Sequence, residues 1–178
     1  MTTRYVALLR ALNVGGHAVV TMADLRAQLE PLHLPELSTV GTSGNLVIAS
    51  RHRSASTLAR DLQAALAGPP AHFTGRVFVR TPDELARAAR GNTLPKDDAH
   101  QCHLVFLSRA PAPARRAALL ALADDDYRFA IRGAVLYFAY RRDVIGRRRE
   151  FDFERLLGVE ATARTWRVVD ELLDRARS

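Results

Sequence analysis

Cysteine and long apolar stretches are scarce in this sequence. Its 178 residues include one cysteine, Cys102, which excludes an internal disulfide and fits a reducing compartment. No apolar run approaches the roughly 18 residues that a membrane-spanning helix needs. The first residues lack the basic start and the small-residue cleavage site of a secretion signal. We therefore expect a cytoplasmic protein that does not enter the membrane.

Lysine is also nearly absent, although the chain is basic. Lys96 is the only lysine, so 25 of the 26 basic residues are arginine, and the formal net charge is +7. A basic chain can bind nucleic acid or another anion. Arginine together with abundant alanine also fits a coding bias toward GC-rich codons, which would spread arginine over the whole surface. Both explanations stay open, and nucleic acid is a partner that we do not favour.

The order of apolar periods predicts the fold class. Hydrophobic residues make up 48% of the chain and charged residues 25%, as in ordinary globular proteins. The elements follow the order β-α-β-β-α in each half, so we predict an α+β fold with two ferredoxin-like halves. We expect mostly antiparallel sheets and a C-terminal helix. We place the two subdomains at residues 1–90 and 102–178, joined by a polar linker at residues 91–101.

The first sheet can be predicted in more detail. We expect Arg4–Leu12, Leu37–Val40 and Leu46–Ala49 to share one sheet, with the third strand between the other two. A helix separates the first two strands, whereas a tight turn at Gly44 joins the second to the third. The end of the first strand and the turn after the second strand should therefore lie at one edge of the sheet.

Two predicted helices bear on function. The first begins at Thr21, with Asp24 as its capping-box partner, and its N-terminus should lie near the same sheet edge. The last is predicted to begin at Thr162, which puts Arg164 in the first turn, where the helix dipole disfavours a cation. An acidic neighbour or an anionic ligand should then offset the unfavourable interaction of the Arg164 charge with the helix dipole. Trp166 follows on the apolar face and is expected to pack in the core.

Polar residues and glycines cluster at the predicted sheet edge. The stretches "NVGGH" and "TSGN" offer backbone amides and side chains that suit an anion. We predict a binding site for a small anionic or nucleotide-like ligand there, with these residues: Arg10, Asn13, Gly15, Gly16, Ser43, Gly44, Asn45 and Arg164. The alternative is that the glycines and asparagines only form tight turns and that Arg10 pairs with a carboxylate.

Other motifs do not support a specific chemistry. "GTSGN" lacks the last glycine of a nucleophile elbow and precedes a strand, so Ser43 is not expected to be a nucleophile. "NVGGH" lacks the lysine and spacing of a P-loop. His100, Cys102 and His103 have no second pair of ligands nearby in sequence. We expect no metal and no cofactor, and we identify no catalytic residue.

Two alternative functions remain. One is an enzyme that uses the same site, with Arg10 and Arg164 stabilising negative charge. The other is a nucleic-acid-binding or protein-interaction module. That module is disfavoured because the strand "RVFVR" offers only Phe78 for stacking, whereas RNA-binding sheets offer more aromatic residues.

The sequence resembles a bacterial family of unknown function, DUF1697, over nearly its whole length. The resemblance is carried by "RALNVGGHAVVTMADL", "GTSGN", "NTLP" and "LGVEATARTW". It implies an α+β fold with two ferredoxin-like halves, and it implies no activity. Ala11, Gly41-Thr42, Thr165 and the stretch "GRRREF" depart from the family pattern. Ten residues match it directly: Arg10, Asn13, Gly15, Gly16, Ser43, Gly44, Asn45, Thr162, Arg164 and Trp166.

Overall fold

The computed structural model describes residues 2–12, 20–147 and 149–177, with the backbone alone for residues 145–147. These residues form eight strands and six α-helices. The strands are β1 (Thr3–Leu9), β2 (Glu36–Val40), β3 (Asn45–Ser50), β4 (Val77–Arg80), β5 (His100–Leu107), β6 (Tyr127–Arg132), β7 (Val135–Arg141) and β8 (Ala161–Thr165). The helices are α1 (Met22–Leu29), α2 (Ala55–Leu66), α3 (Pro82–Arg90), α4 (Pro113–Leu120), α5 (Phe153–Leu157) and α6 (Trp166–Arg177).

The chain divides into two compact units. The first comprises Met1–Ala86 and Asp170–Ser178, and the second comprises Arg87–Val169. Helix α6 therefore begins in the second unit and ends in the first. In the first unit Arg175 donates to the backbone oxygen of Thr39 on β2 at 3.5 Å, which ties the end of α6 to that sheet. The linker that we placed at residues 91–101 stays a prediction.

The first unit has a four-stranded antiparallel sheet in the order β2-β3-β1-β4. Strand β3 pairs with β1 on one side and with β2 on the other, which confirms the predicted central place of the third strand. Strand β1 ends at Leu9 and not at Leu12, because Ala11 has a φ of 58° and the extended chain stops there.

Two helices cover one face of the first sheet. The residues of α1 and α2 that face the sheet recur at the spacing of a helical turn, and each is fully buried. These residues are Leu25, Leu29, Leu58, Leu62 and Leu66. They pack with Tyr5, Ala7 and Leu9 of β1 in one apolar core. Packing on this face fixes the position where β1 leaves the sheet.

The second unit repeats the arrangement, with the strand order β6-β7-β5-β8. The predicted hairpin turns at Gly133, whose φ is 55°. The core of this unit is rich in aromatic side chains, among them Tyr127, Phe129 and Phe138. The predicted α+β fold with two ferredoxin-like halves and a C-terminal helix is confirmed.

The prediction for the last helix was wrong at its start. Residues Ala161–Thr165 form strand β8, which pairs antiparallel with β5, and α6 begins only at Trp166. The prediction took Thr162 as a helix cap, but β-branched threonine also suits a strand, and β5 offers an edge to pair with. Each half of the fold therefore has a fourth strand.

Candidate functional site

Strand β1 and the β2–β3 turn meet at one edge of the first sheet, as the sequence predicts. The backbone N–H of Leu9 donates to the carbonyl oxygen of Gly44 at 2.8 Å. In the paired register, Leu8 lies opposite Asn45. The loop after β1 and the β2–β3 turn therefore leave the sheet side by side.

A second arginine lies at the same edge. The backbone N–H of Arg10 donates to the carbonyl oxygen of Arg76 at 3.0 Å, one step beyond the paired residues Leu9 and Val77. Arg10 is half-buried and Arg76 is exposed. Gly75 permits this close approach, because a Cβ there would collide with the backbone oxygen of Arg10. The structure thus makes two arginines neighbours along the backbone of this strand pair, and the sequence analysis identified only Arg10.

Three predicted site residues, Asn13, Gly15 and Gly16, lie outside the described residues, so their part in the site stays a prediction. The described residues on either side of this segment are buried. Leu12 is 6% exposed and Val20 is 7% exposed, and both belong to the core of the first unit.

The β2–β3 turn is held by a buried asparagine. Asn45 is 1% exposed, and its side-chain amide donates to the backbone oxygen of Val40 at 2.9 Å. This hydrogen bond closes the turn. Asn45 therefore has the role that the alternative explanation, a tight turn without a ligand, gives to it. Ser43 is exposed at the turn, and Gly44 has a φ of 69°. Of the three residues, Ser43 is the one with a side chain placed to reach a ligand.

The N-terminus of α1 is already capped by the chain. The hydroxyl of Thr21 accepts from the backbone N–H of Asp24 at 3.1 Å. The Asp24 carboxylate in turn accepts from the hydroxyl of Thr21 at 2.7 Å and from its backbone N–H at 3.4 Å. The predicted capping box is present. It also supplies a negative charge at the helix start, so this helix terminus is a poor place for a further anion.

Arg164 lies on β8 in the second unit, and the argument from a helix dipole therefore does not apply to it. The residue is 7% exposed, and one guanidinium nitrogen donates to the hydroxyl of Thr162 and to the backbone oxygen of Ala163, each at 2.8 Å. Burial lowers the pKa of Arg164 to about 10. The residue still carries its charge at neutral pH. Its meeting with Arg10, which belongs to the other unit, stays a prediction.

Arg80 occupies the equivalent place in the first unit. On β4, Arg80 pairs with Val6 of the first strand, and on β8, Arg164 pairs with Leu104 of the corresponding strand. Each arginine is followed by a threonine and then by a helix. Burial also lowers the pKa of Arg80, and the negative charge of Glu84 partly offsets this lowering. The two halves thus share an Arg-Thr pair at the end of the fourth strand, a residue-level repeat that the sequence analysis missed.

Trp166, the first residue of α6, contacts a cation in the same unit. The Lys96 ammonium lies 4.3 Å from the centroid of the Trp166 ring. This is a cation–π distance. The indole is only half-buried, so the expectation that Trp166 is a core residue holds in part.

A Ser-His-Asp chain of hydrogen bonds lies at the other end of β3. The Ser50 hydroxyl is 2.7 Å from Nδ1 of His52, and Nε2 of His52 is 2.9 Å from the Asp61 carboxylate. The hydrogen bond from His52 lowers the pKa of Asp61. Ser50, however, is 1% exposed and accepts the backbone N–H of His52 at 3.1 Å. A substrate cannot reach that hydroxyl. The Ser-His-Asp hydrogen bonds instead connect the end of β3 to α2.

The His100, Cys102 and His103 group does not assemble a metal site among the described residues, where no three His, Cys, Asp or Glu side chains converge. Cys102 is buried, and its burial raises the pKa of the thiol to about 11. Such a thiol stays protonated near neutral pH and is a poor nucleophile. His100 instead bonds to Asp97 at 2.7 Å.

Comparison with known proteins decides the family. The family of proteins of unknown function DUF1697 matches residues 1–137. This chain belongs to the DUF1697 family. The match includes the loop edge with Arg10, Ser43 and Gly44, whereas the "LGVEATARTW" stretch lies beyond its end.

The fold of this DUF1697 protein is also found in a solved structure. The conserved bacterial protein SP0830 from Streptococcus pneumoniae is 20% identical, with a TM-score of 0.74 over 99% of each chain. This similarity supports the fold alone. No curated protein matches the chain significantly. Within the described residues, no helix is long and apolar enough to span a membrane.

Proposed function

We propose that this DUF1697 protein binds a small anionic or nucleotide-like ligand at the loop edge of its first sheet. The observation that carries the proposal is the backbone hydrogen bond between Arg10 and Arg76, which holds two cationic residues at the end of one strand pair. We also propose a cytoplasmic location, because the buried Cys102 is a free thiol.

Charge favours an anion at this edge. Arg10 and Arg76 are neighbours across the β1–β4 pair, so an anion that binds there is attracted by both positive charges. The guanidinium group presents donors in a planar fork that fits two oxygens of a phosphate or carboxylate. Arg10 and Arg76 are thus suited to hold one oxyanion between them.

Neighbouring groups fit the same ligand. The exposed Ser43 hydroxyl lies on the turn that Gly44 joins to β1. Asn13, Gly15 and Gly16 follow Leu12 in the sequence, and glycines allow backbone amides to come close to an anion. Arg164 is the least supported member, because it belongs to the second unit.

Melting temperatures test this proposal. Pyrophosphate at low salt should raise the melting temperature of the wild type, because a ligand that binds only the folded state stabilises it. Arg10→Ala and Arg76→Ala should each remove most of the increase. Arg53→Ala is the matched control, since this exposed arginine lies beyond the opposite end of β3 and should leave the increase intact.

The design separates a specific site from general basic charge. If Arg53→Ala lost as much of the increase in melting temperature, pyrophosphate would be binding to the general excess of positive charge and not to this edge. An unchanged increase in both Arg10→Ala and Arg76→Ala would refute the site. Adenosine diphosphate and inorganic phosphate, tested in the same way, distinguish a nucleotide-like ligand from a simple anion.

A further inference from the structure

A cavity of about 300 Å³ opens on the second sheet. Its floor is made by His103 on β5, Phe138 on β7 and Ala163 on β8. Its wall is the segment that leads into α5, through Arg149, Glu150, Phe151 and Phe153. All of these residues belong to the second unit.

The cavity follows from a difference between the two halves of the fold. In the first unit the second helix, α2, has 12 residues and packs along the fourth strand, β4. The corresponding helix α5 has 5 residues and packs against α4. Such a short helix leaves part of the sheet near β8 to be covered by the preceding segment. Ala163, which is exposed on β8, leaves space that a larger side chain would fill.

Aromatic rings of two orientations line the cavity. The rings of His103 and Phe138 are nearly parallel, at 26° with centroids 5.8 Å apart. Phe151 and Phe153 stand at 70° and 71° to Phe138. A planar ring that enters the cavity can contact the open parts of these rings in the stacked and edge-to-face arrangements that aromatic groups prefer.

The opening carries both hydrogen-bond donors and an acceptor. The Arg149 guanidinium lies 5.0 Å from the centroid of Phe151 and donates to the Asp124 carboxylate at 3.0 Å. Asp124 thus holds Arg149 at the rim and partly offsets its charge. Glu150 is exposed beside it and can accept hydrogen bonds. An uncharged ring with donors and acceptors on its edge matches this rim better than a plain hydrocarbon.

We propose that this cavity binds one planar heteroaromatic ring of the nucleobase class. Its volume is at the lower end of small-molecule sites, which suits a single ring system. Bases stack well on aromatic side chains, and the polar rim can read their edges. The proposal is independent of anion binding by Arg10 and Arg76, because it uses other residues in the other unit.

Binding of free adenine to the whole protein tests this inference, with affinities from ligand-observed NMR. Adenine has no phosphate, so the proposed anion site cannot account for its binding. Ala163→Leu should fill the cavity and weaken adenine binding at least tenfold. Ala117→Leu, at an exposed position on α4, is the matched control and should bind adenine as the wild type does. Amide shifts of the wild type should change near residues 149–153 and 163 and not near 41–44.

Several results would overturn the inference. One is an absence of adenine binding to the wild type at millimolar concentration. Another is equal binding by Ala163→Leu when its circular dichroism is that of the wild type. If Ala163→Leu fails to fold, adenine-dependent amide shifts confined to residues outside the cavity lining would decide against the site. Cyclohexanol binding as tightly as adenine would also contradict it, since the site would then be merely apolar.

Discussion

The backbone N–H of Arg10 donates to the carbonyl oxygen of Arg76 at 3.0 Å, so the two arginines close the β1–β4 ladder together. They are 66 positions apart in the printed sequence, and only the pairing of the strands brings them together. The Gly44 turn is bonded to the preceding residue, Leu9. These contacts make the loop edge a fixed structure whose parts can be tested one at a time.

The first prediction concerns Gly44. Gly44→Ala should destabilise the protein more than Gly41→Ala, although both glycines have positive φ. A Cβ at Gly44 would lie 2.8 Å from the Cβ of Leu9, whereas a Cβ at Gly41 has open space. The backbone strain alone should cost about 1–2 kcal/mol in each variant, and the collision adds to it only at Gly44. Urea unfolding measures both, and equal losses would contradict the close packing of the turn on β1.

The second prediction concerns Asn45. Asn45→Ala should lower the free energy of unfolding by about 1–3 kcal/mol, because it leaves the buried backbone oxygen of Val40 without this donor. Ser43→Ala, in the same turn but exposed, should change stability by less than about 0.5 kcal/mol. Urea titrations of the two variants give the comparison. A small effect of Asn45→Ala would mean that its amide does not hold the turn.

Much of this edge could be predicted from the sequence, for local reasons. Gly44 and the apolar strands on either side of it indicate a hairpin, and Thr21 with Asp24 indicates a helix start, because both patterns span only a few residues. Arg76 could not be found in this way. Its place opposite Arg10 depends on the pairing of β1 with β4, which no local pattern encodes.

The error at β8 has the same kind of cause. Thr162 suits both a helix cap and a strand, and the choice is made by the open edge of β5. The repeat of Arg80 and Arg164 was likewise hidden, since one of the two strands was taken for a helix. The contact between His52 and Asp61 could not be predicted either, because Asp61 lies on the next helix.

The third prediction concerns pH and Asp61. The hydrogen bond from His52 lowers the pKa of Asp61, so its carboxylate should titrate below the ordinary value of 3.8. A carboxyl group whose pKa is lower in the folded than in the unfolded state stabilises the folded state at pH values above its unfolded-state pKa. This stabilisation is lost as the pH falls through the folded-state pKa. Carbon-13 NMR of the carboxyl group measures the midpoint. His52→Ala should raise this midpoint toward 3.8. An unchanged midpoint would contradict the conclusion that the hydrogen bond from His52 lowers the pKa of Asp61.

The fourth prediction concerns Arg164. Its pKa is lowered by burial, which means that the charged form is disfavoured at this position. Even so, Arg164→Met should lower the free energy of unfolding by about 1–3 kcal/mol, because the Thr162 hydroxyl and the Ala163 backbone oxygen lose their donor. Chemical unfolding at pH 7 measures the difference. An unchanged or raised free energy of unfolding would show that the cost of burying the charge outweighs these hydrogen bonds.

The most direct test of the central claim is calorimetric titration of pyrophosphate into the wild type, Arg10→Ala, Arg76→Ala and the double variant. If both arginines hold one anion, each single variant should weaken binding at least tenfold, or about 1.4 kcal/mol, and the double variant by less than the product of the two. The variant Arg51→Ala/Arg53→Ala, which removes two exposed arginines beyond the other end of β3, should bind as the wild type does. Dissociation constants that stay within twofold of the wild type in Arg10→Ala and Arg76→Ala would contradict an anion site at this edge.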